Sequence, residues 1–272
     1  MTEQEHKELR ELYNPEGSDL RKAQLRMLDM LIFVDKVCKS ESISYWIDGG
    51  TLLGAMRHKG FIPWDDDMDI CMPLEDYKRF KKYMLSHEDP NFVLQCHESD
   101  PHYYQTWGVM RDLKYKLSDG SKPLENYKYQ GVQMDIFPID DRRNKSLWRI
   151  LCFFFRWFVV NPLFEGRITH LFRWIVAPSF FFLTKVLIPC FRFITPHDKE
   201  HLSHAYGDFW FWGWKKKDVF PLGTIEFEGR TFVCPYNPDG YLKHLYGDWT
   251  QVPSKDKIHT HHFTFEIIDH SI

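Results

Sequence analysis

No C-x-x-C occurs in this chain of 272 residues, and its six cysteines (Cys38, Cys71, Cys96, Cys152, Cys190, Cys234) are scattered. That spacing suggests neither a zinc ribbon nor a disulfide framework; it suits neutral thiols in a reducing compartment. Excess charge of either sign is also lacking. The 35 Lys and Arg face 38 Asp and Glu, a formal net charge of −3. Such a balance argues against a general nucleic-acid binder, so no nucleic-acid partner is expected. The first residues, MTEQEHKELRELYNPEG, are polar and carry no apolar h-region, so no signal peptide is expected and the location expected is cytoplasmic. Long apolar runs are missing even where aromatics crowd. In the stretch 142–196 the longest segment without a charge, Trp174 to Thr184, has 11 residues, whereas a spanning helix needs about 20.

The chemistry-bearing residues are concentrated between Tyr45 and Pro73, YWIDGGTLLGAMRHKGFIPWDDDMDICMP. The pattern predicts a strand over 43–48, a glycine turn, a short helix, a loop and a second strand. Four aspartates fall in five positions: Asp65, Asp66, Asp67 and Asp69. Strand side chains at i and i+2 share a face, so Asp67 and Asp69 would point one way, Met68 and Ile70 the other. Two adjacent carboxylates repel unless a cation sits between them, which suits Mg²⁺ or Mn²⁺. Gly49 and Gly50 let backbone amides approach a ligand without a Cβ in the way. The next helix would aim its N-terminus at a phosphate. The plain alternative is a solvated acidic turn. The apolar strand context and the Gly-Gly pair favour a metal site, in the pattern of a nucleotidyltransferase fold. Asp48 either binds substrate or caps the turn. Arg57 either clamps a phosphate or is a surface cation at a helix end.

Around this stretch, Leu20, Ala23, Met27, Met30, Val34 and Val37 recur at steps of three and four, predicting a helix over 19–39 capped by Ser18 or Asp19. A helix over 74–87 would turn Tyr77, Phe80 and Met84 inward and leave Lys78, Arg79, Lys81 and Lys82 as a solvated face. Strands are expected over 91–97, 105–116 and 131–138. In the last, Asp135 lies opposite Val132, Met134 and Ile136. A lone ionised Asp costs several kcal/mol to bury unless it is paired or metal-bound. Asp135 is therefore the natural third carboxylate of a metal site, the alternative being a strand-end Asp in solvent.

YWIDGGTLLGAMRHKGFIPWDDDMDI resembles the signature of LicD-type phosphotransferases, a family that also includes the fukutin and fukutin-related proteins. The likeness continues in GVQMDIFPID (131–140) and in GRTFVCPYNPDGYLKHLYGDW (229–249), and is weak between 142 and 218. It implies a CDP-activated donor (CDP-choline or a CDP-alditol such as CDP-ribitol) and transfer of the phospho-group to a glycan hydroxyl. It also suggests that Arg111 faces the nucleotide, with a structural ion pair as the other option. The expected site is then Asp67, Asp69 and Asp135 as catalytic residues and metal ligands, with Gly49, Gly50, Thr51, Arg57 and Arg111 binding the donor. Competing readings are a nucleotidyltransferase that places a nucleotide on a sugar phosphate or amine, a D-x-D glycosyltransferase, and a silent scaffold on glycan or membrane.

The expected fold class is α+β: a nucleotidyltransferase-like mixed sheet flanked by helices, with a helical aromatic and basic insertion. Residues 1–17 are expected to be a flexible, loosely helical start. Residues 18–141 would be the catalytic core, 142–218 the insertion, and 219–272 the part completing the core. The 142–196 stretch combines Phe and Trp clusters with nine Lys and Arg and one acid, Glu165. That composition fits an element lying on an anionic membrane, on the inner face of the cytoplasmic membrane, with a lipid-linked acceptor as one option. The alternative is a helical subdomain with its own aromatic core. His259, His261 and His262 suit a polar loop over the site better than a zinc centre.

Overall fold

The structure, a computed structural model, describes residues 2–103, 105–118, 127–142, 181–194, 196–206, 213–254, 258 and 264–268. Helix α1 (Glu3–Tyr13) begins in a reciprocal cap. The Thr2 hydroxyl accepts from the Glu5 N–H, and the Glu5 carboxylate accepts from the Thr2 N–H. The start of the chain, expected to be loose, is thus a capped helix, and Asn14 behind it is buried and donates to Gln24 (2.7 Å). Ser18 caps α2 (Asp19–Glu41) by accepting from the Arg21 N–H. The predicted stripe is buried, joined by Leu31 and Cys38. Each buried Leu, Met or Val contributes about 1.5–3 kcal/mol.

The main sheet is built from β1 (Trp46–Ile47), β2 (Asp69–Pro73), β3 (Phe92–Gln95), β4 (Gly108–Asp112) and β6 (Gln133–Arg142), in the order β1-β2-β6-β4-β3. Strands β2 and β6 run parallel and the other neighbours antiparallel. Two further strands, β7 (Asp198–His204) and β8 (Trp214–Lys215), extend the far half of β6. Helix α3 (Gly49–His58) lies between β1 and β2 in sequence, and α4 (Leu74–Ser86) follows β2. With α2 they make an α+β fold around a mixed sheet.

The strand expected over 105–116 is broken. The Asp112 carboxylate accepts from the Lys114 and Tyr115 N–H groups (2.7 and 3.1 Å) and turns the chain. It also takes Arg26 Nε at 2.7 Å, while the Arg26 guanidinium lies over the Phe92 and Tyr115 rings. Residues after the turn form β5 (Tyr115–Ser118). Gly131 packs directly on this corner: a Cβ there would fall 1.8 Å from the Asp112 carbonyl oxygen. Gly131→Ala is expected to cost about 1–3 kcal/mol and to lower Tm by roughly 2–10 °C. A melting curve that superimposes on wild type would contradict this packing.

Later elements are α5 (Ile188–Ile194), α6 (Lys216–Val219), β9 (Gly223–Phe227), β10 (Arg230–Cys234), α7 (Pro238–Tyr246) and β11 (Thr264–Ile267), which pairs with β5. Strands β9 and β10 form a hairpin through Glu228 (φ 48°) and Gly229 (φ 70°). Two positive φ values in a two-residue loop are the tight turn that suits strand twist. The Glu228 carboxylate accepts from both Arg21 Nη atoms (3.1 and 2.7 Å) and from the Phe61 N–H (3.1 Å). The turn therefore clasps α2 and the loop after α3 together. Asn237 caps α7 and Gly247 ends it, as the sequence implies. Most of the 142–196 insertion, and His259, His261 and His262, lie outside the described residues.

Candidate active site

The parallel register of β2 and β6 sets Asp69 directly opposite Asp135. Both carboxylates then lie on one face of adjacent strands. Strand β2 begins at Asp69, so Asp67 is a loop residue and not the strand neighbour expected. Sheet pairing still holds that loop close: the Asp135 N–H donates to Met68 O (2.8 Å), and the Asp48 N–H donates to Asp69 O (3.0 Å). Buried Met68 and Ile70 anchor the chain on the apolar side.

The carboxylates repel one another. Burial, then the charges of Asp67 and Asp135, push Asp69 well above the usual carboxylate range. Burial, then Asp67 and Asp66, do the same to Asp65. Asp67 keeps an exposed rim position. Its carboxyl is still raised, by the protein mass around it first and by Asp66 next. Asp135 is raised to about 7, chiefly by burial; the nearby Arg111 charge opposes this.

The Gly-Gly pair is the first turn of α3 rather than a separate turn, with Asp48 as its N-cap residue. Its backbone stands against the acids. A Cβ on Gly49 would lie 2.9 Å from Asp69 Oδ2, and one on Gly50 2.8 Å from Asp65 Oδ2. Gly49 also has φ +51°, which side chains disfavour. The first N–H groups of a helix lack intrahelical partners and carry its positive dipole end. Gly50→Ala should keep the fold, because a flexible carboxylate can yield. Crowding the cleft should lower turnover roughly 10–100-fold, the scale of an ångström-sized misplacement. Turnover within two-fold of wild type would show that this approach is not used.

Other predicted residues are placed differently. Thr51 Oγ1 accepts from the Asp69 N–H (2.9 Å), so it positions the strand. Arg57 donates to the carbonyls of Trp249 (3.1 Å) and Gln251 (3.0 Å) and to His58 Nε2 (2.9 Å). Its charge still reaches Asp65. Arg111 donates to Gln95 Oε1 (2.8 Å) and Gly131 O (3.0 Å), with Asp135 in charge range. Asp48 makes no side-chain cap. Its carboxylate accepts from the Tyr241 hydroxyl and from Cys71 Sγ (3.0 Å). Tyr246, whose hydroxyl would lie 3.6 Å from a Cβ on Gly49, comes from the same helix. Sequence reasoning missed Tyr241, Tyr246 and Cys71; the apolar neighbours of Cys71 were the one local signal, and nothing in NPDGYLKHLYGDW singled out the two tyrosines. Trp107 stands beside Asp135 and packs on Phe137 (5.7 Å).

Among the described residues no three His, Cys, Asp or Glu side chains are placed to hold one metal ion together. The donor chemistry is nevertheless that of a hard-cation site: all oxygen, with four carboxylates whose charges act on one another. Asp67, Asp69 and Asp135 fit a hard divalent cation on that ground.

Comparison with known proteins places the chain among relatives. Residues 42–161 match the family model "LicD/FKTN/FKRP, nucleotidyltransferase domain". The chain is 28% identical over 268 residues to the Lipopolysaccharide cholinephosphotransferase LicD of Haemophilus influenzae, covering 89% of this chain and 96% of that protein. It is 48% identical over 44 residues to the human Ribitol 5-phosphate transferase FKRP, covering 16% of this chain and 9% of that one. It is 25% identical over 214 residues to the mouse Ribitol-5-phosphate transferase FKTN, covering 73% and 37%. The chain thus carries a LicD/FKTN/FKRP nucleotidyltransferase domain over residues 42–161 and resembles a LicD protein along nearly its full length.

Proposed function

We propose that this chain transfers a phospho-group, phosphocholine or an alditol phosphate, from a CDP-activated donor to a glycan hydroxyl of a cell-surface polysaccharide or lipopolysaccharide. The relatives support the reaction class, since their names are those of cholinephosphate and ribitol phosphate transferases. The observation that carries it to named residues is the in-register Asp69–Asp135 pair, with Asp69 against the N-terminus of α3. In this proposal the Gly49 and Gly50 amides hold phosphate oxygens of the donor. Mg²⁺ or Mn²⁺, held by Asp67, Asp69 and Asp135, supplies charge neutralisation to the diphosphate when bound. Asp135 takes the proton of the attacking hydroxyl. The attacking oxygen lies in line with the P–O bond that breaks, and CMP leaves. Arg57 and Arg111 act from behind, as cations near Asp65 and Asp135. Among the described residues no helix is long and apolar enough to cross a membrane. The proposed place is the cytoplasm, with peripheral contact on the inner membrane face through 142–196.

Thermal stability with CDP, CDP-choline, CDP-ribitol, UDP and ATP, each with and without Mg²⁺, tests this. A ligand at a hundred times its Kd stabilises by about 2.7 kcal/mol. The expected result is a rise in Tm with CDP compounds only, and only with the metal. A rise with ATP or UDP instead, or pyrophosphate rather than CMP among the products, points to the nucleotidyltransferase or glycosyltransferase reading. No shift with any of them points to a scaffold.

A further inference from the structure

A cavity of about 640 Å³ lies between the start of α4, residues 96–98 and 105–107, and Phe181–Phe193. In the sheet order, the Gly49–Gly50 backbone follows β1 on one flank of the β2–β6 pair, and Trp107 precedes β4 on the other. Trp107 both lines the cavity and adjoins Asp135. Trp107 is therefore the shared wall between the cavity and the acid proposed to take the acceptor's proton.

The walls are of three kinds. Tyr77, Trp107 and Phe181 supply aromatic faces. Lys78, Lys81, Lys185 and Arg192 supply cations, and Glu98 is the acid among the described lining residues. Glu98 is shared: Lys81 Nζ lies at 2.7 Å and Lys185 Nζ at 3.7 Å. Lys78 also pairs with Glu75 (2.7 Å) and Arg192 with Asp140, so the wall keeps an excess of one cation, from the two lysines on Glu98. Two of the four basic residues on the solvated face of α4, Lys78 and Lys81, thus also border the cavity. One buried polar atom in the lining, Gln105 Oε1, has no hydrogen-bond partner, while the Trp107 indole N–H is turned to the Asp135 carboxylate. A buried acceptor left unpaired costs free energy that a ligand can recover.

The outer wall is the segment Phe181–Ile194, a turn of π-helix (Leu183–Leu187) leading into α5. Its inner side, through Phe181, Ile188 and Arg192, faces the cavity. Its other residues, Phe182, Val186, Leu187, Phe193 and Ile194, are exposed, Phe193 by 92% and Ile194 by 73%. Apolar and aromatic side chains beside Lys and Arg suit the headgroup layer of a membrane.

We propose that this cavity is the acceptor site and that it takes the sugar-phosphate headgroup of a lipid-linked glycan, with the lipid leaving along the exposed apolar face of Phe181–Ile194. The role as acceptor site rests on the phosphotransferase reading; the binding itself does not. Sugar rings stack on Tyr77 and Trp107. A hydroxyl of the headgroup donates to Gln105 Oε1, and its phosphate meets Lys78, Lys81, Lys185 and Arg192.

The test uses phosphatidylcholine vesicles doped either with polyprenyl-phosphate glucose or with phosphatidylglycerol at equal surface charge. The protein is the full chain carrying Asp69→Asn, so no turnover is needed and failure of the transferase reading does not affect the outcome. Tighter binding to the glucolipid vesicles is expected. Lys78→Gln and Lys185→Gln lie at positions 49% and 62% exposed, so the fold should tolerate them. Each should weaken glucolipid binding roughly five-fold, and phosphatidylglycerol binding much less. Equal binding to both vesicles, equal losses in the variants, or no binding at all would overturn the site. Competition by soluble glucose 1-phosphate at matched concentration would overturn the lipid-linked source.

Discussion

Asp69→Asn will lower turnover roughly 10²–10³-fold, the scale of losing one preorganised charge in a catalytic site. It will not lower stability. The exchange keeps the shape of the side chain and removes one of several repelling carboxylates. Burial and the charges of Asp67, Asp135, Asp48 and Asp65 all oppose ionisation at this position. The metal-free variant is therefore expected to melt at or above the wild-type temperature. The two readouts together separate a catalytic acid from a structural one. A variant with near-normal turnover in Mg²⁺ removes Asp69 from the mechanism. One that loses activity and Tm together makes it a residue that merely holds the fold.

Glu228→Ala will lower stability by about 3–5 kcal/mol, the usual cost of stripping one partner from a buried ion pair. Arg21 and Glu228 side chains are only 7% and 9% exposed. Without the carboxylate, the Arg21 charge and the Phe61 N–H lose their acceptor. Urea denaturation measures the loss. Its pH dependence has a definite sign. Burial raises the Glu228 pKa, but the hydrogen bonds and charge of Arg21 outweigh this and leave it below 4.5, the unperturbed value. The folded protein thus prefers the ionised form. The stabilisation is fully present above the unfolded-state value and is lost as pH falls through the lower folded-state value. The stability gap between wild type and Glu228→Gln should therefore shrink on acidification below about pH 4.5. A gap that stays constant through that range would show that the charge pair is not its source.

Much of this site was legible in the sequence because its signals are local. Gly-Gly needs no partner to reveal a close backbone approach, and alternation around Asp135 shows which side of a strand it occupies. The pairing of Asp69 with Asp135 was legible only as a shared need for a cation. Their direct opposition depends on strand register across more than sixty residues, which periodicity does not encode. Arg57 shows the limit most clearly. A cation after a short helix looks like a clamp, yet its donors are taken by Trp249 and Gln251, nearly two hundred residues away. Glu228 gave no signal, since a single acid between two short strands is an ordinary turn residue until α2 brings Arg21 to it. The break at Asp112 was hidden because residues on both sides of the turn favour strands. The basic face of α4 is solvated as its pattern says, with Lys78, Arg79 and Lys82 exposed; what stands opposite Lys78 and Lys81 is set by residues far along the chain.

The hydroxyl of Tyr241 on the Asp48 carboxylate, with the Tyr241 ring stacked on Trp214 at 5.6 Å, has a consequence for how the protein is made. Asp48 precedes the glycines of the cleft, but its partner belongs to α7, synthesised about a hundred residues after Asp135. At ribosomal rates of about 5–20 residues per second, that is a delay of roughly 5–20 s. During this interval the nascent chain holds every aspartate of the site without the helix that fixes the residue before Gly49. Competence is withheld until translation has passed α7, so a stalled or truncated product carries the acids but not their working arrangement.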